Sequence, residues 1–165
     1  MTIDRIIVGY DGTTQARGAL RCAVHEAGPT GAVVHVVTAW TVDDGRPPAV
    51  ATVTALLRAR QAEAIRAALD RLPDGQRPVV TGSVVMADPV TALNAAAADA
   101  DLVVIGYGPR LPALLRARLQ QCPRGFGGPC PLRVVRTLST KDIRLEIRGL
   151  ARTGHLVTHG KLIRR

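Results

Sequence analysis

The sequence predicts an α/β fold, a doubly wound parallel sheet with helices on both faces. Three observations carry that prediction. Short apolar runs rich in Val and Ile, such as Ile6-Ile7-Val8 and Leu102-Val103-Val104-Ile105, have the length and β-branching of strands buried on both faces. Stretches with apolar residues at i, i+3 and i+4 separate these runs, so strands and helices alternate along the chain. The first run ends in Tyr10-Asp11-Gly12-Thr13. That turn puts a carboxylate at the C-terminal end of a strand, where open α/β sheets bind their ligands.

Each element follows from local chemistry. Arg5 to Gly9 reads as the first strand. Thr13 or Thr14 supplies the hydroxyl that caps a helix whose apolar face is Ala16, Ala19, Leu20, Ala23, Val24 and Ala27. Gly28-Pro29-Thr30-Gly31 is expected to stop that helix and turn the chain. Ala32 to Val37 is the second strand, with His35 inside it as a hydrogen-bonded core histidine. Asp43 to Pro48 is a polar, Pro-rich loop. Residues 50 to 72 form the longest helical pattern, placing Val53, Leu56, Leu57, Ala64, Ile65, Ala68, Leu69 and Leu72 on one broad face. Pro73-Asp74-Gly75 ends it. Pro78 to Met86, with four valines, is the third strand. Asp88 caps a third helix that has Pro89 at its first position, and Asp99-Ala100-Asp101 closes it. Leu102 to Gly106 is the fourth strand. Beyond it, Leu111 to Gln121 suits a short helix and Leu132 to Arg136 a fifth strand.

Composition narrows the function classes. A chain of 165 residues suits one domain. With one Trp, two Tyr and one Phe, its core is aliphatic. There is no run of 18 apolar residues and no basic-then-apolar leader, so neither a membrane span nor a signal peptide is expected, and the expected location is the cytoplasm. Three cysteines, Cys22, Cys122 and Cys130, are too few and odd in number for a disulfide framework. The net charge of +9 is unevenly placed. Residues 1 to 107 carry 9 Arg against 11 Asp or Glu, whereas residues 108 to 165 carry 13 Lys or Arg against Asp142 and Glu146. The chain therefore divides into a first part, 1 to 136, and a basic C-terminal extension, 137 to 165, either a β-ribbon or disordered.

Taken together and in order, Arg5-Ile6-Ile7-Val8-Gly9-Tyr10-Asp11-Gly12-Thr13, His35-Val36-Val37, Ala87-Asp88-Pro89, Ala100 to Gly106 and Cys130-Pro131-Leu132-Arg133-Val134-Val135 resemble the universal stress protein family over about residues 3 to 136. The resemblance implies a three-layer α/β/α, Rossmann-like fold of the adenine nucleotide alpha hydrolase type, with five parallel strands in the order 3-2-1-4-5. It implies a stress-response adaptor or signalling module, a homodimer through the last strand, and ATP or another adenine nucleotide between strands 1 and 4. The nucleotide-binding residues expected on this basis are Gly9, Asp11, Gly12, Thr13, Val36, Gly106 and Gly108, with Arg110 as a substitute source of charge for the phosphates. Asp11 would meet the adenine or ribose, and Gly106 would open the phosphate loop.

That loop departs from the family's pattern of Gly, two residues, Gly, nine residues, then Gly followed by Ser or Thr. Counted from Gly106 the later positions are Pro109, Leu119 and Gln120; counted from Gly108 they are Leu111, Gln121 and Cys122. Glycines let backbone N–H groups approach phosphate, whereas Pro109 has no N–H to offer and Leu119 adds bulk. Arg110, Arg116 and Arg118 are available to supply charge in place of those donors.

Other chemistries find less support. Gly106-Tyr107-Gly108 lacks the third glycine of a dinucleotide fingerprint, and there is no Gly-Lys-Ser or Gly-Lys-Thr. His155 and His159 have the spacing of a zinc helix without its glutamate, so no metal is expected. Ser83 and Ser139, the two serines, lie in no Gly-x-Ser-x-Gly elbow, and an Asp at a strand end more often orients a ligand than abstracts a proton. The chain is not expected to be an enzyme. The alternative reading is a nucleic-acid or anion-binding protein that uses the basic residues of 108 to 165. It is the less favoured, because residues 137 to 165 contain no aromatic side chain to stack on a base.

Overall fold

The computed structural model describes residues 3–42, 49–106, 132–135, 156–158 and 161–162. In chain order the elements are β1 (Arg5–Gly9), α1 (Thr14–Thr30), β2 (Val33–Trp40), α2 (Val50–Leu69), a 3₁₀ turn (Asp74–Gln76), β3 (Val80–Met86), α3 (Pro89–Ala97) and β4 (Leu102–Gly106). Three short strands follow: β5 (Leu132–Val135), β6 (Leu156–Thr158) and β7 (Lys161–Leu162). The described strands form one sheet in the order β3-β2-β1-β4-β5-β6-β7, parallel throughout except for the β6–β7 pair.

The alternation of side chains along β1 builds two cores. Ile6 and Val8 point with Val34, Val36, Leu102 and Val104 toward α1 and α2. Ile7 points with Val37, Val103 and Ile105 toward Ala92, Leu93 and Ala97 of α3. Both faces of the central strands are therefore sealed, which is why their sequences are nearly continuous apolar runs.

Several element boundaries differ from those expected. α1 continues through Gly28 and Pro29 to Thr30. Gly28 is there for packing, since a Cβ would stand 2.6 Å from the Gln76 carbonyl oxygen. The stop is Gly31, whose φ of 72° suits glycine and whose N–H bonds to the Ala27 carbonyl. β2 runs on to Trp40. α2 ends at Leu69, and its inward face also differs: Leu56 is 51% exposed and Gln61 is buried. The buried residues of α2, Gln61 and Ala68, both lie in its C-terminal half, so the apolar stripe of the N-terminal half is only partly covered among the described residues.

Asp88 caps α3, its Oδ1 accepting from the N–H groups of Val90 (3.0 Å) and Thr91 (3.2 Å). Asp101, expected to close α3, instead stitches the sheet: its Oδ2 accepts from the N–H groups of Asp4 and Arg5, each at 2.9 Å. The expected helix at Leu111 to Gln121 lies outside the described residues.

Candidate functional site

β1 lies between β2 and β4, so the direction of winding reverses between β1 and β4. The C-terminal rim there is the topological switch point of the sheet. Tyr10 leaves β1 with its N–H bonded to the Val37 carbonyl at 2.9 Å, and its ring is buried. Asp11 then stands exposed at the rim. Its Oδ1 accepts from the Thr13 N–H at 3.0 Å and the Thr13 hydroxyl at 2.6 Å. Thr13 is the N-cap of α1, its Oγ1 accepting from the Ala16 N–H at 3.2 Å. Among the described residues nothing donates to Asp11 Oδ2. One carboxylate oxygen therefore positions the group while the other faces outward, suited to accept from a hydroxyl or an amine.

The glycines at this rim have different reasons to be glycine. Gly12 has φ 84° and, among the described residues, no atom within 4 Å of where a Cβ would stand, so it serves the turn. Gly106 ends β4 directly against the first turn of α1; a Cβ would collide with the Gln15 backbone and stand 2.6 Å from the Ala16 nitrogen. A Cβ on Gly9 would stand 3.2 Å from Ile105 Cγ2 and 3.4 Å from the Leu93 methyls. Gly9 and Gly106 thus let α1, α3 and β4 close around the end of β1.

The structure brings Gly9, Asp11, Gly12, Thr13 and Gly106 to one rim. Val36 is fully buried within β2, its side chain in the core beneath α1 and α2. Gly108 and Arg110 lie outside the described residues.

A second polar group spans β2 and β3. His35 Nδ1 lies 2.8 Å from Thr81 Oγ1, and Nε2 lies 3.0 Å from Ser83 Oγ. Burial, with Arg5 as a second cause, lowers the His35 pKa from its ordinary value, so the imidazole stays neutral further into acid. On the opposite face, the buried Gln61 Nε2 donates to Thr38 Oγ1 (2.9 Å), the Ser83 carbonyl (3.0 Å) and the Val36 carbonyl (3.2 Å). Gln61 did not stand out in the sequence, and Asp101 did so only as the end of α3, because a polar residue in a helix or loop reads as solvated. The signal for Gln61 is its place four residues after Leu57 and four before Ile65, on the inward stripe.

Among the described residues there is no group of three or more His, Cys, Asp or Glu side chains placed to hold a metal ion. No helix among them is long and apolar enough to cross a membrane.

The comparisons with known proteins agree with this architecture. A family model for the universal stress protein family matches residues 2–119. A crystal structure of a protein from that family from Burkholderia pseudomallei superposes with a TM-score of 0.58 at 20% identity, covering 81% of this chain and 96% of that one. Universal stress protein UspA from Lactobacillus plantarum gives 0.56 at 20% identity, over 81% of this chain and 98% of that one. A family protein from Arabidopsis thaliana, solved with AMP bound, gives 0.53 at 9% identity, over 82% and 93%. No curated protein matches the sequence. The structural likenesses establish the fold, and the match over residues 2–119 establishes more: the chain belongs to the universal stress protein family.

Proposed function

We propose that this chain is a cytoplasmic stress-response adaptor that binds an adenine nucleotide at the rim between β1 and β4, without turning it over. The observation that carries the reading is the posture of Asp11. One of its oxygens is fixed by the cap of α1 and the other is open, beside Gly12 and the α1 N-terminus, at the switch point of the sheet. Nucleoside recognition through Asp11 Oδ2 and anion attraction by the first turn of α1 then act on the two ends of one ligand. The AMP held by the Arabidopsis thaliana protein supports an adenine ligand. The loop after Gly106 lacks the family's glycine spacing, so charge from Arg110 replaces backbone donors at the phosphates. Self-association through β5 belongs to this reading only once β6 has left that edge.

Equilibrium dialysis of the full chain with ATP, AMP and cyclic AMP in separate cells tests the proposal. Saturable binding of one nucleotide per chain supports it. Absence of binding by all three refutes it.

A further inference from the structure

The face of the sheet that carries α3 is not apolar throughout. Ile7 and Val37 are buried on it against α3. His35 stands on the same face, in register with Ile7 on one side and Thr81 on the other, and Ser83 is in register with Val37. Arg5, two residues before Ile7 on β1, shares that face. Arg5 and Thr81 are exposed, and His35 and Ser83 are half-buried, so solvent reaches the group.

The hydrogen bonds of this group turn on one proton. His35 Nδ1 lies 2.8 Å from Thr81 Oγ1, and Nε2 lies 3.0 Å from Ser83 Oγ. A neutral imidazole donates at one nitrogen and accepts at the other, so one hydroxyl gives its hydrogen to the ring and the other keeps its own. An imidazolium donates at both, and both hydroxyls then have a hydrogen to direct outward. Protonation therefore gives the cluster a second outward donor and a positive charge. Arg5 is already a cation beside it, and after burial it is the cause that lowers the His35 pKa. β3 brings only hydroxyls to His35, α3 has no ionisable side chain between Pro89 and Ala97, and α1 and α2 pack on the opposite face. Among the described residues no carboxylate forms an ion pair with Arg5. Two like charges side by side disfavour each other, and an anion held by both reverses that effect.

We propose that Arg5, His35, Thr81 and Ser83 form a binding site for a phosphate-like oxyanion, and that the anion and a proton on His35 bind together. Arg5 supplies permanent charge and a fork of N–H donors, and the two hydroxyls supply directed donors once the imidazole is charged. The site lies below the rim, since His35 pairs with Ile7, whereas Asp11 follows the last residue of β1 by two. It needs nothing from Asp11, so this proposal and the nucleotide reading can fail separately.

Proton NMR titration of the His35 imidazole in the full chain tests this, its resonance assigned by its loss in His35→Gln. Sodium sulfate is the probe, because sulfate stays a dianion across the titration, and sodium chloride at equal ionic strength controls for screening. Saturating sulfate is expected to raise the His35 pKa by about one unit over its value in chloride, which corresponds to about tenfold tighter binding to the imidazolium form. The exposed His25 is an internal control and should respond alike to both salts. Arg5→Gln and Thr81→Val, both at exposed positions, should each shrink the difference between sulfate and chloride. Phenyl phosphate in a parallel titration separates two sources of the anion. A rise with both probes extends the class to phosphate esters, a rise with sulfate alone limits it to the free ion, and either supports the site. The same His35 pKa in sulfate and chloride, or an undiminished difference in folded Arg5→Gln, would overturn the proposal. If the variants fail to fold, the titration of the unsubstituted chain decides.

Discussion

Asp11 and Thr13 hold each other at the end of β1: the Asp11 Oδ1 accepts from both the N–H and the hydroxyl of Thr13, and Thr13 in turn caps α1. The side chain proposed to meet a ligand is thereby tied to the helix whose N-terminus faces the same rim. Structure and site share one hydroxyl, so the two roles need separating by mutation.

Thr13→Ala removes the cap and the donor to Asp11 while leaving the carboxylate in place. A lost threonine cap typically costs about 1 kcal/mol. Urea unfolding should report a loss of that size, and an unchanged midpoint would contradict the role given to Thr13.

Gly82→Ala should destabilise through one identified collision, because the new Cβ would meet Gln61 Oε1. Overpacking of this kind costs roughly 1–3 kcal/mol. In a Gln61→Ala background the collision is gone, so the cost of Gly82→Ala should shrink. Additive losses in the double-mutant cycle would show that the two positions do not interact.

Asp101→Ala should loosen the start of β1, leaving the Asp4 and Arg5 N–H groups without their acceptor. The expected loss is on the order of 1–2 kcal/mol, and Asp101→Asn, which keeps one acceptor oxygen, should recover most of it. Equal losses in both variants would mean that the carboxylate acts by charge alone.

His35 makes stability depend on pH in a defined direction. Its pKa is lowered in the folded chain, by burial first and Arg5 second, so between that value and the ordinary imidazole value the unfolded chain binds more protons. This contribution is fully present above the unfolded pKa and is lost as pH falls through the folded one. Unfolding midpoints measured from about pH 8 down to about pH 5 should therefore fall, and His35→Gln should flatten the decline in that window. The same slope in both proteins would assign the effect to other groups.

How much of this was legible in the sequence depended on what each residue type advertises. β-branched runs between turn residues marked β1, β2 and β4, and Asp88-Pro89 marked the start of α3, because strand burial and helix capping have local signatures. The end of α1 was misplaced because Gly28 looks like a breaker, whereas it is small for the sake of Gln76, which is distant in sequence. Leu56 and Gln61 exchanged their expected environments because periodicity ranks residues by polarity and does not know where the sheet stops. At the site, Asp11, Gly12 and Thr13 were readable from a contiguous turn. Gly9 and Gly106 were expected at the site only through the family resemblance, and their steric reasons, Ile105 with Leu93 and the first turn of α1, exist only in three dimensions.

The central claim is that Asp11 makes the rim between β1 and β4 a nucleotide site. Calorimetric titration of ATP and AMP into the full chain, Asp11→Ala and Thr13→Ala addresses it most directly. The account expects saturable binding by the unsubstituted chain, loss of that binding in folded Asp11→Ala, and retention of a weakened form in Thr13→Ala. Binding of the same strength in Asp11→Ala and the unsubstituted chain would contradict it.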